Sequence, residues 1–368
     1  MYVHIPFCIR KCSYCSFYSV SADADTRNRF SNTLLTELRT RVKGRVIKTI
    51  YAGGGTPTLL PIVFWKGFLA KAGEIADISH VTEFTIETNP GSVTEKELFA
   101  LRQAGFNRLS IGVQSFNDTL LQTLGRIHTS DQAEETYRCA RKAGFHNISL
   151  DLMYGVPGQT MENWLKDLER IEELGPEHVS CYELSVIGGT PIFKSINDGM
   201  LSKPDEETCR DMYFAADETL TRSGYLHYEV SNFALGKNCI SRHNSSYWNR
   251  TPYIGLGPSA HSYDGKVTRS WNVHSLEQYL ERVEDGQSLT LESEVITKEQ
   301  AALEMVMLGL RCSAGINLKE IETETGIRIN RDYLKTMIEN NRVILSGAKL
   351  VPNVEGMLYA DGDSVNLI

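Results

Sequence analysis

The chain has 368 residues, with 38 Lys and Arg against 46 Asp and Glu, so 38 − 46 gives a net charge of −8. That length allows one large domain plus a small one, and the acidic balance offers no footprint for a phosphate backbone, so nucleic acid is not an expected partner. No apolar run reaches the roughly 18–20 residues of a membrane-spanning helix. The eight cysteines form no disulfide framework, which places the chain in a reducing cytoplasm.

The first motif comes almost at once, which leaves no room for a signal peptide. Cys8-Ile-Arg-Lys-Cys12-Ser-Tyr-Cys15 sets three cysteines at C-x3-C-x2-C spacing, followed by Ser16 and Phe17. A four-iron cube normally takes four thiolates. A loop with only three leaves one iron open to a small molecule binding through nitrogen and oxygen. A zinc site is the alternative, but it wants a fourth Cys or His, usually from a second pair at short spacing. His4 is close yet falls in an apparent strand, and no second pair follows. Ordinary core cysteines are a third reading, against which the density of the motif counts. The remaining five, Cys139, Cys181, Cys209, Cys239 and Cys312, read as small core residues.

From Met1 to about Val230 one theme repeats. Strands are predicted at Tyr2–Ile5, Ile47–Ala52, Glu83–Glu87, Arg108–Val113, Ile148–Met153 and Val179–Leu184. Helices are predicted at Thr26–Val42, Ile62–Ile75, Glu95–Ala104, Ala133–Ala143, Met161–Leu174 and Glu206–Arg222. The alternation implies a parallel sheet with right-handed crossovers, either a closed or nearly closed barrel or an open doubly wound sheet. In a barrel the chemistry sits at the C-terminal strand ends, and polar residues fall there: Gly53-Gly-Gly-Thr-Pro57, Glu87-Thr-Asn-Pro90, Gln114-Ser115 and Asp151. A glycine run lets backbone N–H groups approach a ligand. Alone it is a common turn signal, and without a following Gly-Lys-Ser/Thr it is not a phosphate loop.

Tyr225–Val230 reads as a last strand. Beyond it, His243-Asn-Ser-Ser-Tyr-Trp248 and Tyr253-Ile-Gly-Leu-Gly-Pro-Ser-Ala-His-Ser-Tyr263 read as a loop lining a site for a flat apolar ligand with polar edges. The plainer reading is that Tyr247 and Trp248 anchor a domain junction. From Ser293, helices at Thr297–Arg311, Leu318–Thr325 and Arg331–Asn340 and a hairpin around Ser346-Gly347 predict a winged-helix fold. Thr297 serves as N-cap and Gln300 completes a capping box. Such folds often bind DNA, but basic residues are not concentrated here, and a lid or docking role is preferred.

The cysteine spacing, with Tyr14 before the last Cys, resembles the radical S-adenosylmethionine (SAM) enzymes. The flanks Tyr2-Val-His-Ile-Pro-Phe7 and Phe17-Tyr-Ser19 resemble the branch that holds oxygen-independent coproporphyrinogen III oxidase and the HemW-type heme chaperones. The resemblance implies a partial (β/α)6 TIM-like barrel over residues 1–235, a connecting segment at 236–292 and a winged-helix-like domain at 293–368. It also implies a [4Fe-4S] cluster on Cys8, Cys12 and Cys15, whose open iron chelates SAM and whose electron cleaves it to a 5′-deoxyadenosyl radical. Tyr2 and Tyr14 match positions touching SAM. Gly54, Gly55 and Thr56 match the glycine motif, Glu87 a carboxylate on the methionine or ribose, and Gln114, Arg126 and Asp151 the positions holding the ribose hydroxyls and the SAM carboxylate. Leu124-Gly-Arg-Ile-His128 supports Arg126 in particular.

His243-Asn-Ser-Ser-Tyr-Trp248 resembles the chaperone signature, with His243 as a heme ligand and Tyr247 and Trp248 against the porphyrin. His261 is the competing ligand. Three readings follow from the resemblance. One is a chaperone that carries heme to an acceptor protein, a membrane-associated one included. The second is the oxidase, which decarboxylates two propionates. The third is another radical SAM enzyme acting on heme. The short segment before Cys8, the Phe at position 17 where those oxidases carry a fourth cysteine, and the His243 string favour the chaperone. For a chaperone no catalytic residue is assigned, and an electron donor is needed only if SAM is cleaved.

Overall fold

Strands and helices alternate from the first residues, as the periodicity predicts. The structure is a computed structural model that describes residues 1–368. Its first part runs β1 (Tyr2–Ile5), α1 (Ala24–Arg41), β2 (Thr49–Gly54), α2 (Ile62–Ile75), β3 (Glu83–Thr88), α3 (Glu95–Ala104), β4 (Arg108–Gln114), α4 (Asp118–Thr123), α5 (Ser130–Lys142), β5 (Ile148–Tyr154), α6 (Met161–Leu174), β6 (His178–Glu183), α7 (Pro191–Asn197) and α8 (Glu206–Arg222). Then come β7 (Leu226–Glu229), β8 (Asn232–Ala234), α9 (Arg242–Trp248), β9 (Gly255–Leu256), β10 (His261–Tyr263), β11 (Thr268–Asn272), α10 (Leu276–Glu284) and β12 (Thr290–Val295). The chain packs into two units, each assembled from separate stretches: Met1–Ala216 with Ile254–Ser262 and Ser270–Glu292, and Asp217–Tyr253 with Tyr263–Arg269 and Ser293–Ile368. No helix is long and apolar enough to cross a membrane.

In the first unit β1 to β6 pair in chain order and all in parallel, making the partial (β/α)6 barrel. Parallel strands covered on both faces read as near-continuous apolar runs, and the β3 and β4 side chains are almost all buried. Beyond β1 lies β9, also parallel, with Tyr2 opposite Gly255 and Val3 opposite Leu256. Helix α1 buries Phe30, Leu34 and Leu38, four residues apart and so on one face. Between α2 and β3 an aromatic cluster fills the core, with Phe84 and Phe106 stacked at 3.8 Å and Trp65 edge-on to Phe106 at 5.4 Å. Reciprocal capping boxes open α3, α5 and α6 at Thr94/Glu97, Thr129/Gln132 and Thr160/Asn163, each satisfying two orphan donors.

Strand β2 continues two residues past the predicted end. Gly53 and Gly54 pair with His4 and Ile5, so the glycine run is the tip of a strand before it is a turn. Further on, β7 turns back antiparallel on β8. The stretch read as a loop at His243–Trp248 is the helix α9 instead. Ser241 starts it by accepting from the Asn244 N–H, and no Gly or Pro interrupts it.

The second unit ends in α11 (Lys298–Leu310), β13 (Ile316–Asn317), α12 (Leu318–Thr325), α13 (Arg331–Glu339), β14 (Val343–Ser346), β15 (Lys349–Pro352), α14 (Val354–Leu358) and α15 (Ala360–Leu367). Strands pair antiparallel in the order β13-β15-β14. The helix-strand-helix-helix-hairpin order is that of a winged helix, with Val306, Leu310, Ile321, Leu334, Met337 and Leu350 in its core. The Thr297/Gln300 capping box forms as expected.

Candidate functional site

A cavity of about 310 Å³ opens at the C-terminal ends of β1 to β5. The cysteine loop follows β1 and is anchored independently of the thiols. Phe7 and Val20 bridge its ends, the Ser13 N–H donates to the Leu124 carbonyl at 3.0 Å, and the Ser13 hydroxyl donates to the Thr123 carbonyl at 3.0 Å. Gly125, at φ +72°, permits this approach, since a Cβ there would sit 2.9 Å from Ser13 N. Cys8, Cys12, Cys15 and Tyr14 all line the cavity, and the Thr56 hydroxyl lies 3.9 Å from Cys8 Sγ. No group of three His, Cys, Asp or Glu side chains converges to hold a single metal ion. A four-iron cube takes its thiolates on separate irons, and three thiols lining one cavity fit such a cube.

The three glycines of β2 serve three different contacts. A Cβ on Gly55 would meet the Phe7 carbonyl at 2.4 Å, one on Gly54 the His4 ring at 2.5 Å, and one on Gly53 the Glu87 carboxylate at 2.9 Å. Glu87 accepts from the Tyr51 hydroxyl at 2.7 Å and from the Gly54 N–H at 3.1 Å. Burial raises its carboxyl to about 7, and the Asp151 charge adds to this, while those two donors work against it. Asp151 accepts from Ser110 at 2.9 Å and from Ser149 at 3.0 Å, one on each oxygen. Ser149 is in turn 2.8 Å from His178 Nδ1. Gln114 reaches the cavity by an irregular β4, where the register with β5 shifts and Gln114 takes φ 70°, a conformation L-residues rarely adopt outside functional or strained sites.

Arg126 donates to Asn89 Oδ1 at 2.7 Å and to the Gly112 carbonyl at 3.0 Å, and its guanidinium lies 6.0 Å from the Tyr14 ring centre. Its Nε is buried with no hydrogen-bond partner. A cation with an unused donor, facing carboxylates, amides and glycine N–H groups, matches a ligand bearing a carboxylate, an ammonium and a diol. The donor set therefore fits SAM. Arg126→Ala is expected to weaken SAM binding about 10- to 100-fold, the equivalent of ~1.5–3 kcal/mol for a hydrogen bond to a charged group. Calorimetry on the reconstituted protein checks this, and equal affinities in variant and parent would remove Arg126 from the site.

The cavity thus gathers Cys8, Cys12, Tyr14, Cys15, Gly54, Gly55, Thr56, Glu87, Gln114, Arg126 and Asp151. Tyr2 does not line it. It stands at the opening end of β1, donating to His4 Nδ1 at 3.1 Å while His4 Nε2–H donates to the Tyr18 carbonyl at 3.0 Å. Residues unrecognised from sequence complete the site. Asn89 bridges Arg126 and, through its Nδ2, the Thr56 hydroxyl at 2.7 Å, Ser110 and Ser149 hold Asp151, and Gly112 makes room for Arg126, whose Nη2 a Cβ would meet at 2.8 Å. Glu87-Thr-Asn-Pro90 was the available signal for Asn89.

In the second unit His243 is 2% exposed, and its Nε2 is hydrogen-bonded to the Tyr247 hydroxyl at 3.1 Å. The Trp248 Nε1–H is buried without a partner. His261, in the first unit, is exposed and stacks on Trp271 at 5.5 Å.

A parallel barrel with a three-thiol loop over its strand ends defines a radical SAM protein, and residues 2–171 match the profile of the Radical SAM superfamily. Residues 296–359 match the HemN C-terminal domain. Among solved structures the chain is similar to coproporphyrinogen III oxidase (HemN) from Escherichia coli, with TM-score 0.84 and 24% identity over 99% of this chain and 88% of that one, a likeness of fold. Among curated proteins it is 36% identical to heme chaperone HemW of Bacillus subtilis, over 97% of this chain and 94% of the relative. It is 35% identical to heme chaperone HemW of Lactococcus lactis, over 92% and 88%. The chain belongs to the HemW family of radical SAM proteins, and membership of that superfamily implies a [4Fe-4S] cluster and SAM.

Proposed function

We propose that this chain is a heme chaperone. It holds the cluster through Cys8, Cys12 and Cys15, binds SAM at the strand ends, carries heme, and hands it to an acceptor protein, a membrane-associated one included. The observation that supports this most is the alignment with proteins named heme chaperone along nearly the whole chain. When bound, the cluster and SAM supply one-electron chemistry at the sulfonium. The protein's own groups bind and orient. Arg126 pairs with the SAM carboxylate, Glu87 in its ionised form accepts from the ammonium, and Asp151, pinned by two serine hydroxyls, offers its remaining lone pairs to the diol.

Heme is the cargo, and His243, Tyr247 and Trp248 are its proposed contacts. Ligation through His243 Nε2 requires the Tyr247 hydroxyl to leave it. The unpaired Trp248 N–H supports such a rearrangement, because a buried donor without an acceptor costs about 1–3 kcal/mol. A Soret titration of the anaerobically reconstituted protein tests the reading. His243→Ala is expected to lose the imidazole-ligated spectrum, while Tyr247→Phe, with one competitor for Nε2 removed, binds heme more tightly. An unchanged spectrum and affinity in His243→Ala, with loss in His261→Ala, moves the ligand to His261. Turnover of coproporphyrinogen III to protoporphyrinogen IX at an enzyme-like rate replaces the chaperone with the oxidase.

A further inference from the structure

Beneath the cavity the strands carry polar side chains that touch no ligand. Ser110 stands opposite Ser149 and Ser149 opposite His178 on neighbouring strands, and all three are buried. Asp151 follows Ser149 by two and so faces the same way, one level nearer the cavity it lines. The Ser149 hydroxyl has three neighbours: Asp151 Oδ1 at 3.0 Å, His178 Nδ1 at 2.8 Å and the Ser180 hydroxyl at 3.4 Å. It has one proton to give. An ionised carboxylate only accepts, so the bond to Asp151 uses that proton, and His178 Nδ1 is then the donor to Ser149. With Nδ1 bare, the proton would go to the ring and leave Ser149 Oγ and Asp151 Oδ1 as two acceptors in contact. Burial, with the Arg108 charge adding to it, holds the His178 imidazole well below its usual range, so the ring is neutral and its proton sits on Nδ1.

We propose that His178 is a positioning residue for Asp151, and that through it the site distinguishes the ribose hydroxyls of its nucleoside ligand. The proposal rests on the reading that places the SAM diol at Asp151 and adds what makes that carboxylate selective. Three observations carry it. The first is direction. The chain from His178 Nδ1–H to Ser149 Oγ–H to Asp151 Oδ1 has one sense, so the ring turns the Ser149 proton away from Ser180 and onto the carboxylate. The second is completeness. Ser110 donates to Asp151 Oδ2 at 2.9 Å, so each oxygen is held from beneath by one donor, and the other lone pairs are left for a ligand in the cavity. The third is seclusion. Neither His178 nor Ser149 lines the cavity, and both are 0% exposed, where a satisfied hydrogen-bond chain is stiff and its members polarise one another. A carboxylate fixed in this way accepts from a hydroxyl at one position and is left unpaired by a ligand that lacks it. Without the imidazole donor, Ser149 is free to turn to Ser180, and Asp151 loses the bond that sets its plane.

The test is calorimetry on the full, anaerobically reconstituted chain with SAM and with its 2′-deoxy and 3′-deoxy ribose analogues. The parent protein is expected to bind at least one analogue about 10- to 100-fold more weakly than SAM, the equivalent of one hydrogen bond to a charged group. His178→Leu is expected to lower SAM affinity about tenfold and to leave that analogue's affinity unchanged, so that the ratio between them shrinks about tenfold. Ser149→Ala is expected to do the same, and it carries the test alone if His178→Leu fails to fold. In the Ser149→Ala background His178→Leu shrinks the ratio no further, because both cut one chain. His178→Asn, whose amide N–H can stand near the place of Nδ1, restores the ratio. An equal fall in affinity for SAM and both analogues in His178→Leu and Ser149→Ala marks a merely structural role and overturns the proposal. An unchanged ratio in those two variants, where Asp151→Asn abolishes it, also overturns the proposal and leaves the diol reading standing. A ratio that survives Asp151→Asn, or a parent protein that binds SAM and both analogues equally, overturns the diol reading itself.

Discussion

Replacing Cys8, Cys12 or Cys15 with Ser is expected to bring iron and sulfide after anaerobic reconstitution to background, for each single variant. On the proposed assignment each of the three thiolates would hold one iron, and two alone would not retain the cube. The fold should survive the change. The loop is tied by the Phe7–Val20 bridge and by Ser13 to Thr123 and Leu124, none of which uses a thiol. Circular dichroism close to that of the parent, with the cluster absent, is the expected pair of results. Cys139→Ser is the control, because Cys139 sits on α5 with its thiol toward Glu135. A full complement of iron and sulfide in all three loop variants would refute the ligand assignment.

The largest effect on stability is expected at Glu37. This α1 carboxylate is 1% exposed and accepts from four donors: the Gly257 N–H at 2.7 Å, the Tyr279 hydroxyl at 2.7 Å, Asn272 Nδ2 at 2.8 Å and Arg41 at 3.2 Å. Burial raises its carboxyl above the usual range, and Arg41 and the other three donors oppose that rise. Glu37→Ala leaves the donors facing a void. Breaking a buried, hydrogen-bonded ion pair from one side costs about 3–5 kcal/mol, which corresponds to a fall of about 10 °C in the thermal midpoint. Glu37→Gln keeps one acceptor and should fall between. A midpoint within about 2 °C of the parent in Glu37→Ala would show that these bonds are replaced by others at little cost.

Much of this architecture is legible from local pattern. Tyr2–Ile5 is a strand with the expected bounds, and Thr297 with Gln300 forms the capping box that the S/T-x-x-E/Q spacing predicts. Such features depend on neighbours three or four residues away. What depends on register is not legible. Ser110 lies opposite Glu87 and Ser149 opposite Ser110, and only that alignment makes two unremarked serines the clamp on Asp151. Gly112 and Gly125 carry no chemical signature, and their meaning lies in the Arg126 and Ser13 atoms that a Cβ would strike. The His243 string reads as a loop because aromatics, His and small polar residues show no apolar period. A serine cap two residues upstream of His243 turns them into a helix and buries the histidine.

The discontinuity of the first unit has a consequence for how the protein is made. Its last stretch, Ser270–Glu292, supplies Asn272 and Tyr279 to Glu37, and Gly255–Leu256 supplies the partner of β1. A nascent chain therefore cannot close this unit until residue 292 has left the ribosome. At about 5–20 residues per second, that is on the order of tens of seconds after the cysteine loop emerges. Until Gly255–Leu256 has emerged, one edge of β1 has no neighbouring strand, and until Tyr279 has, Glu37 lacks one of its donors. The residues that enclose the three cysteines, up to Asp151, thus emerge well before the stretch that completes their unit.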